Sequence, residues 1–332
     1  MIKAKPPERP KTIPGVHVGH ASDFKGMTGC TVVLVEAGAV CGVDIRGSAS
    51  GTREIETCRP GHLVDRVHGI LLAGGSAFGL DAATGVIQFL EERGAGFAAG
   101  KSRVPIVPAA VIFDLDLGSA KARPNAGMAA WACQNASRVV VEGSVGAGTG
   151  ATVGKILGIR NATKGGVGFE SMVLPKGNVV QALAVVNAFG DVVDPTNTRV
   201  IAGARPTPES ATFAPTEQLM FHGKMRKVFG PSNTTLVVVL TNASLNKVQA
   251  VKLAEMAGDG LARAIRPAHT MFDGDTVFAL SLGEKRADVS HLGAAAAAVT
   301  AGAIIRAVVT ARGLGGVPGS KELPRPPFDS PQ

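Results

Sequence analysis

Tyrosine is absent from the 332 residues, and one tryptophan and 13 phenylalanines bring the aromatic share to only 4%. Proteins that hold single-stranded nucleic acid stack bases on aromatic rings, and those that follow a phosphate backbone gather their cations into a stripe. Here the formal net charge is +8, but the 34 Lys and Arg are scattered and no recognition motif accompanies them, which argues against a nucleic-acid partner. Charged residues are scarce at 18% and apolar ones make up 45%, so the chain is not of the disordered class. Only four cysteines occur, Cys30, Cys41, Cys58 and Cys133. Their spacing fits neither a zinc knuckle nor a redox pair, and they read as buried thiols of a reducing compartment. No cationic start followed by a long apolar run opens the chain. The longest apolar tract, 292–303, is mostly alanine and falls short of the roughly 20 residues that cross a bilayer. A cytoplasmic protein without a membrane partner is expected.

Glycine, by contrast, is plentiful at 43 residues, and two glycine-rich passages stand out. The first, Gly74-Gly75-Ser76-Ala77-Phe78-Gly79, follows a strand pattern at 68–72 and leads into a helix with Val86, Phe89 and Leu90 on its apolar face. Backbone N–H groups meet anions in that context. The spacing matches neither G-x-G-x-x-G nor a Walker loop, so tight strand-to-helix packing is the plainer account. The second passage, 142–158, carries Lys155, but Gly154-Lys155 is followed by Ile156, which also breaks the P-loop pattern. No nucleotide cofactor is expected.

Strand signals recur at 16–18, 31–35, 40–45, 165–172, 179–186, 236–240 and 276–280, and helix signals at 125–135, 246–265 and 290–310. Ser244 stands where the second of these helices would be capped, and with Lys247 three places on no capping box is expected. The stretch 201–233 is rich in Pro, Thr and Glu and reads as a surface linker that delivers the chain to Asn233. Length and pattern suit one large domain over 1–332.

The chemistry concentrates where that linker ends. Gly230-Pro231-Ser232-Asn233 turns into a strand that opens with Thr234 and Thr235. An internal Thr234 is a poor nucleophile without a base. Cleavage of the Asn233–Thr234 bond would give it a free α-amine, which titrates near ~7.7–8 and serves as its own general base. The same residues also fit an ordinary turn ahead of a strand. Asp273-Gly274-Asp275 precedes the strand at 276–280. It lacks the further oxygen ligands of a calcium loop, so no metal is expected, and one carboxylate would orient Thr234 while the other shapes the turn. His269 is a candidate base of a conventional triad, or a packed histidine. Asn187, directly after the strand at 179–186, is either a donor aimed into a site or the start of an Asx turn.

Taken together, P-G-V-H-V-G-H at Pro14, L-L-A-G-G-S-A-F-G-L-D at Leu71, G-A-G-T-G-A-T-V-G-K at Gly146, S-N-T-T-L-V-V-V at Ser232 and H-T-M-F-D-G-D-T-V-F-A-L at His269 resemble the P1 family, peptidase family S58. This family of self-processing aminopeptidases and amidases includes D-aminopeptidase/esterase, β-peptidyl aminopeptidases and nylon-oligomer hydrolase. The resemblance implies an α/β fold with four α-β-β-α layers, related to that of the ornithine acetyltransferases. It implies autocleavage into 1–233 and 234–332, with Thr234 as nucleophile, Asp273 and Asp275 as its supports, Lys155 as a catalytic-site lysine and Asn187 as the oxyanion donor. Phe113, Gly146 and Gly148 would line the substrate pocket, and where relatives carry a site tyrosine this chain has Phe113, one hydrogen-bond donor fewer. The expected partners are a small peptide or amide substrate, the two fragments of the chain itself, and further copies in a tetramer or larger homo-oligomer. Acyl transfer to an amine on the same fold, and an uncleaved structural protein, are the alternative readings.

Overall fold

Strand β2 (Thr28–Ile45), 18 residues long, is the element on which the sheet turns. The structure, a computed structural model, describes residues 9–224 and 233–324. Among them β2 joins β1 (His17–Asp23), β3 (Thr52–Arg53), β4 (Arg66–Ala73), β5 (Ala109–Val111), β6 (Gly166–Val173), β7 (Val179–Asn187), β8 (Thr234–Ala243) and β9 (Thr276–Lys285) in one sheet. The order is β6-β7-β8-β9-β2-β4-β5-β3, with β1 on the first part of β2. Neighbours run antiparallel except β8 with β9 and β4 with β5. The two strands expected at 31–35 and 40–45 are thus one. Its first part pairs with β1 and β4 and its last part with β9, and the register breaks between Leu34 and Ala39. Gly38 sits in that break at φ +80°, a conformation that glycine adopts without a steric penalty.

Alternation along the strands sorts side chains into three cores. Leu236, Val238 and Leu240 of β8, Leu183 and Val185 of β7 and Phe278 of β9 meet Val33, Ile70 and Leu72 from the other half of the sheet. The intervening Val237, Val239 and Ala184 face Leu253, Leu261, Val299 and Ile304 of α3 (Lys247–Ala264) and α4 (Val289–Thr310), after α1 (Ala83–Glu92) and α2 (Ala126–Gln134) in the chain. On the opposite outer face Val32, Leu34 and Leu71 pack against Val86, Phe89 and Leu90 of α1 and Ala129 and Cys133 of α2. Helix, sheet, sheet and helix follow one another, the four layers the resemblance implies.

Helix α4 runs 22 residues, well past the tract at 292–303, and is by length and composition apolar enough to cross a membrane. Two-thirds of its most apolar window is buried within the fold, against β6, β7 and α3. It lies flush on β6 because of Gly168, whose absent Cβ would fall 2.0 Å from the Ala303 carbonyl oxygen. All four cysteines are buried free thiols.

Two local expectations are corrected. The cap of α3 is Asn246 rather than Ser244, and it does form a capping box: Asn246 accepts from Gln249 N–H at 2.9 Å, and Gln249 Oε1 accepts from Asn246 N–H at 3.0 Å. Leu245 belongs to the core, which sets the helix start later than the polar pattern suggests. Of the stretch 201–233, residues up to 224 are bound into the body and 225–232 lie outside the described residues. Val200–Ala202 pairs with the short strand Asp191–Val193, and the buried Arg205 donates to the carbonyls of Arg160 and Ala162. The Asp191 carboxylate accepts from Ala204 N–H and from both Thr216 N–H and its hydroxyl at 2.6–2.9 Å. Such anchors are single polar residues whose partners lie far off in sequence, so composition reads the segment as linker.

Asn246→Ala is expected to cost about 1 kcal/mol in urea unfolding, whereas Ser244→Ala, at an exposed position, stays within about 0.5 kcal/mol of the parent.

Candidate active site

Asn187, the last residue of β7, pairs directly with Thr234, the first of β8. Both extend the alternation of Val185 and Leu236, so both side chains point between the two sheet halves. Thr234 is 3% exposed. Its hydroxyl donates to the carbonyl oxygen of Asn233, the residue it follows, and that same oxygen accepts a second hydrogen bond, from Gly274 N–H at 2.9 Å.

Lys155 reaches this point from the second glycine-rich passage. Its Nζ donates to the backbone oxygen of Asn187 at 3.0 Å and to Oδ1 at 2.8 Å. Burial destabilises the ammonium and pulls the Lys155 pKa down to about 7, against the opposing pull of Asp273, Asp116 and Asp114. Asn187 Oδ1 also accepts from Thr152 N–H at 3.0 Å, and Nδ2 donates to the Phe113 carbonyl at 2.9 Å. The amide expected as an oxyanion donor therefore holds a lysine on one side and commits an N–H on the other.

The paired aspartates act on backbone. Asp275 Oδ1 accepts from Thr235 N–H at 2.7 Å, and Oδ2 lies 2.9 Å from His269 Nδ1 and accepts from His269 N–H at 3.1 Å. Asp273 accepts from Phe189 N–H at 3.1 Å and from the Thr270 N–H and hydroxyl at 3.2 and 2.5 Å. Burial first, and the neighbouring Asp275 second, push the Asp273 pKa up to about 6. The two carboxylates clamp the entries to β8 and β9, so the orienting one acts on the residue after Thr234. His269 Nε2 is buried without a hydrogen-bond partner, and a Thr–His–Asp relay is not assembled.

A shallow pocket opens beside Lys155, walled by Phe113, Asp114, Leu117, Gly150 and Thr152 with Asp116 at the rim. Gly146 and Gly148, expected in that wall, are not among the residues of this pocket, and both are closely packed. A Cβ on Gly146 would meet Thr31 Oγ1 at 2.3 Å, and one on Gly148 would meet the Gly166 backbone at 2.7 Å. Sequence reasoning missed three contributors. Asp114, raised to about 6 mainly by burial, accepts from Gly75 N–H and the Thr28 hydroxyl, both at 2.7 Å. Its sequence signal was an acid set in the apolar run 107–115. Lys164, fully buried, donates to the carbonyls of Gly148, Thr149 and Ala151 at 2.5–3.3 Å. The Gly274 N–H carries no side-chain signal at all. No group of three or more His, Cys, Asp and Glu among the described residues is arranged to hold a metal.

Residues 12–322 match the model of peptidase family S58. The chain belongs to this family. An uncharacterized aminopeptidase of Mycobacterium leprae is 40% identical over 96% of this chain and 94% of its own. A 6-aminohexanoate-oligomer endohydrolase of Paenarthrobacter ureafaciens is 33% identical over 82% of this chain and 74% of its own. The fold is shared with the L-aminopeptidase D-Ala-esterase/amidase of Ochrobactrum anthropi, at a TM-score of 0.70 and 19% identity over 92% of this chain and 87% of that one. As a member of family S58 the protein is an enzyme, a self-processing N-terminal nucleophile hydrolase of the aminopeptidase/amidohydrolase type.

Removing the Asp275 clamp leaves the buried Thr235 N–H unpaired, at a cost of roughly 1–3 kcal/mol. Asp275→Ala made in a Thr234→Ala chain should show that loss in chemical unfolding, where self-processing does not confound the comparison.

Proposed function

We propose that the chain cuts its own Asn233–Thr234 bond and then uses Thr234 to hydrolyse the amide bond of a small peptide or amide-linked oligomer. The observation that carries this reading is the placement of the Thr234 hydroxyl on the carbonyl oxygen of Asn233, with the Lys155–Asn187 pair at the facing register position. Attack of Oγ on the Asn233 carbon forms a C–O bond and sends the π pair to oxygen. Collapse breaks the C–N bond, and the proton lost by Oγ ends on the departing nitrogen, with Lys155 the buried amine at hand to relay it. Water then hydrolyses the ester and leaves Thr234 with a free α-amine.

In turnover that amine takes the proton from Oγ as it attacks the substrate carbonyl and returns it to the leaving amine, and water, deprotonated by the same amine, then releases the acyl group as acid while the proton returns to Oγ. Asn187, the register partner of Thr234, holds Lys155, and the Asp275 clamp on Thr235 N–H keeps the start of β8 from shifting. The shallow pocket at Phe113 borders Lys155. The names of the relatives, an aminopeptidase and an oligomer endohydrolase, span the proposed substrate range.

Intact-mass analysis of purified protein is expected to give two fragments, 1–233 and 234–332, and Thr234→Ala a single full-length chain without amidase activity. A wild-type chain that stays whole while hydrolysing amides would overturn the proposal. The pH dependence follows from the burial of Lys155: its ammonium is lost near 7 instead of near 10.5, and the α-amine titrates at about 7.7–8. Both bases are protonated at low pH, so kcat/KM should rise as pH increases through 7 to 8. Lys155→Met should lower kcat/KM by about 10²-fold or more and leave one ionisation in the rising limb.

A further inference from the structure

We infer that the backbone N–H of Gly274 is the oxyanion donor of the self-cleavage step, and that position 274 is glycine because any side chain there would occupy the space of the nucleophile. The inference rests on the proposed cleavage at Thr234 and adds a residue to it. Gly274 N–H donates to the scissile carbonyl oxygen at 2.9 Å, the atom that becomes negative as Oγ attacks. A Cβ built on Gly274 would stand 2.8 Å from Thr234 Oγ1 and 2.7 Å from the Ala49 carbonyl oxygen. Backbone conformation is not the reason for the glycine, since Gly274 is not among the residues with positive φ.

An oxyanion donor is effective when it is held in place before the charge develops. The neighbours of Gly274 supply that. The Asp273 carbonyl accepts from Ala49 N–H at 2.9 Å, and the Gly274 carbonyl accepts from the Thr276 hydroxyl at 3.0 Å. The carboxylates on either side are fixed to Phe189 and Thr235. The peptide unit between them has no freedom to turn away.

The covalent step balances within the chain. Oγ–C forms, the carbonyl π pair moves to the oxygen facing Gly274 N–H, the pair returns as C–N breaks, and the Oγ proton ends on the nitrogen. The ester so formed is an acyl group on Thr234 Oγ. A substrate acyl group forms the same kind of ester, so the same N–H faces its carbonyl oxygen in turnover.

Two measurements on the full chain test this. Gly274→Ala keeps the N–H but sets a Cβ against Thr234 Oγ, so with an unchanged fold by circular dichroism it should process about 10²-fold more slowly than wild type by intact mass, the scale of a nucleophile displaced by about 1 Å. Hydrogen–deuterium exchange resolved at residue 274 needs no variant at that position. The amide should exchange slowly in uncleaved Thr234→Ala, where Asn233 O accepts from it. It should exchange faster in processed wild type and slow again when a peptide aldehyde is bound. Processing of Gly274→Ala at the wild-type rate would overturn the inference, as would equal exchange at 274 in all three samples. Both results leave cleavage at Thr234 standing, whereas an uncleaved wild type removes the reading beneath it.

Discussion

The register between β7 and β8 is the constraint on which the site depends. Asn187 lies opposite Thr234, and both face the space between the sheet halves. Because side chains alternate along a strand, a slip of one residue would turn Thr234 into the outer core and bring Thr235 to the site without its clamp. Seven further Cα pairs, from Val180 with Thr241 to Val186 with Thr235, hold the register, and most of the side chains involved are fully buried. The apolar core thus does more than stabilise: it decides which hydroxyl the site receives.

Around that point the structure keeps charges that a core would ordinarily exclude. Lys155, Lys164, Asp114 and Asp273 are all buried, and taking each out of water costs several kcal/mol before any compensation. Each is spent on fixed groups. Lys164 shows how: burial draws its pKa down to about 7, yet its Nζ serves three carbonyl acceptors, and only the ammonium has three N–H groups to give. Its bonds to Gly148, Thr149 and Ala151 shape the turn that presents Thr152 N–H to Asn187 Oδ1. The chain of contacts from Lys164 through that turn to Asn187 and Lys155 links the second glycine-rich passage to the nucleophile.

Much of this was legible in the sequence, and the boundary is physical. The apolar runs at 179–186 and 236–240 and the two-carboxylate spacing at 273–275 marked strands and a site because such signals lie within a few residues of sequence. The resemblance placed Lys155, Asn187 and the four layers. What stayed hidden were contacts made by backbone or by residues distant in sequence. Gly146 and Gly148 looked like pocket glycines because every glycine in that passage allows close approach, and only the fold shows that theirs is to Thr31 and to the Gly166 backbone. Arg205 and Asp191 tie down a segment whose composition is that of a linker. The cap of α3 was misplaced by two residues because Leu245 is buried, and no local pattern announces that.

The spacing Asp-Gly-Asp then has a geometric explanation. The segment entering β9 must secure three things within three residues: the turn at Phe189, the start of β8 at Thr235, and the carbonyl oxygen of the Asn233–Thr234 bond. Two carboxylates on alternate residues reach the first two N–H groups, and the peptide N–H between them is left facing the Asn233 carbonyl. Gly274 can carry no side chain without crowding the nucleophile, because its Cβ would stand 2.8 Å from the Thr234 hydroxyl oxygen and 2.7 Å from the Ala49 carbonyl oxygen.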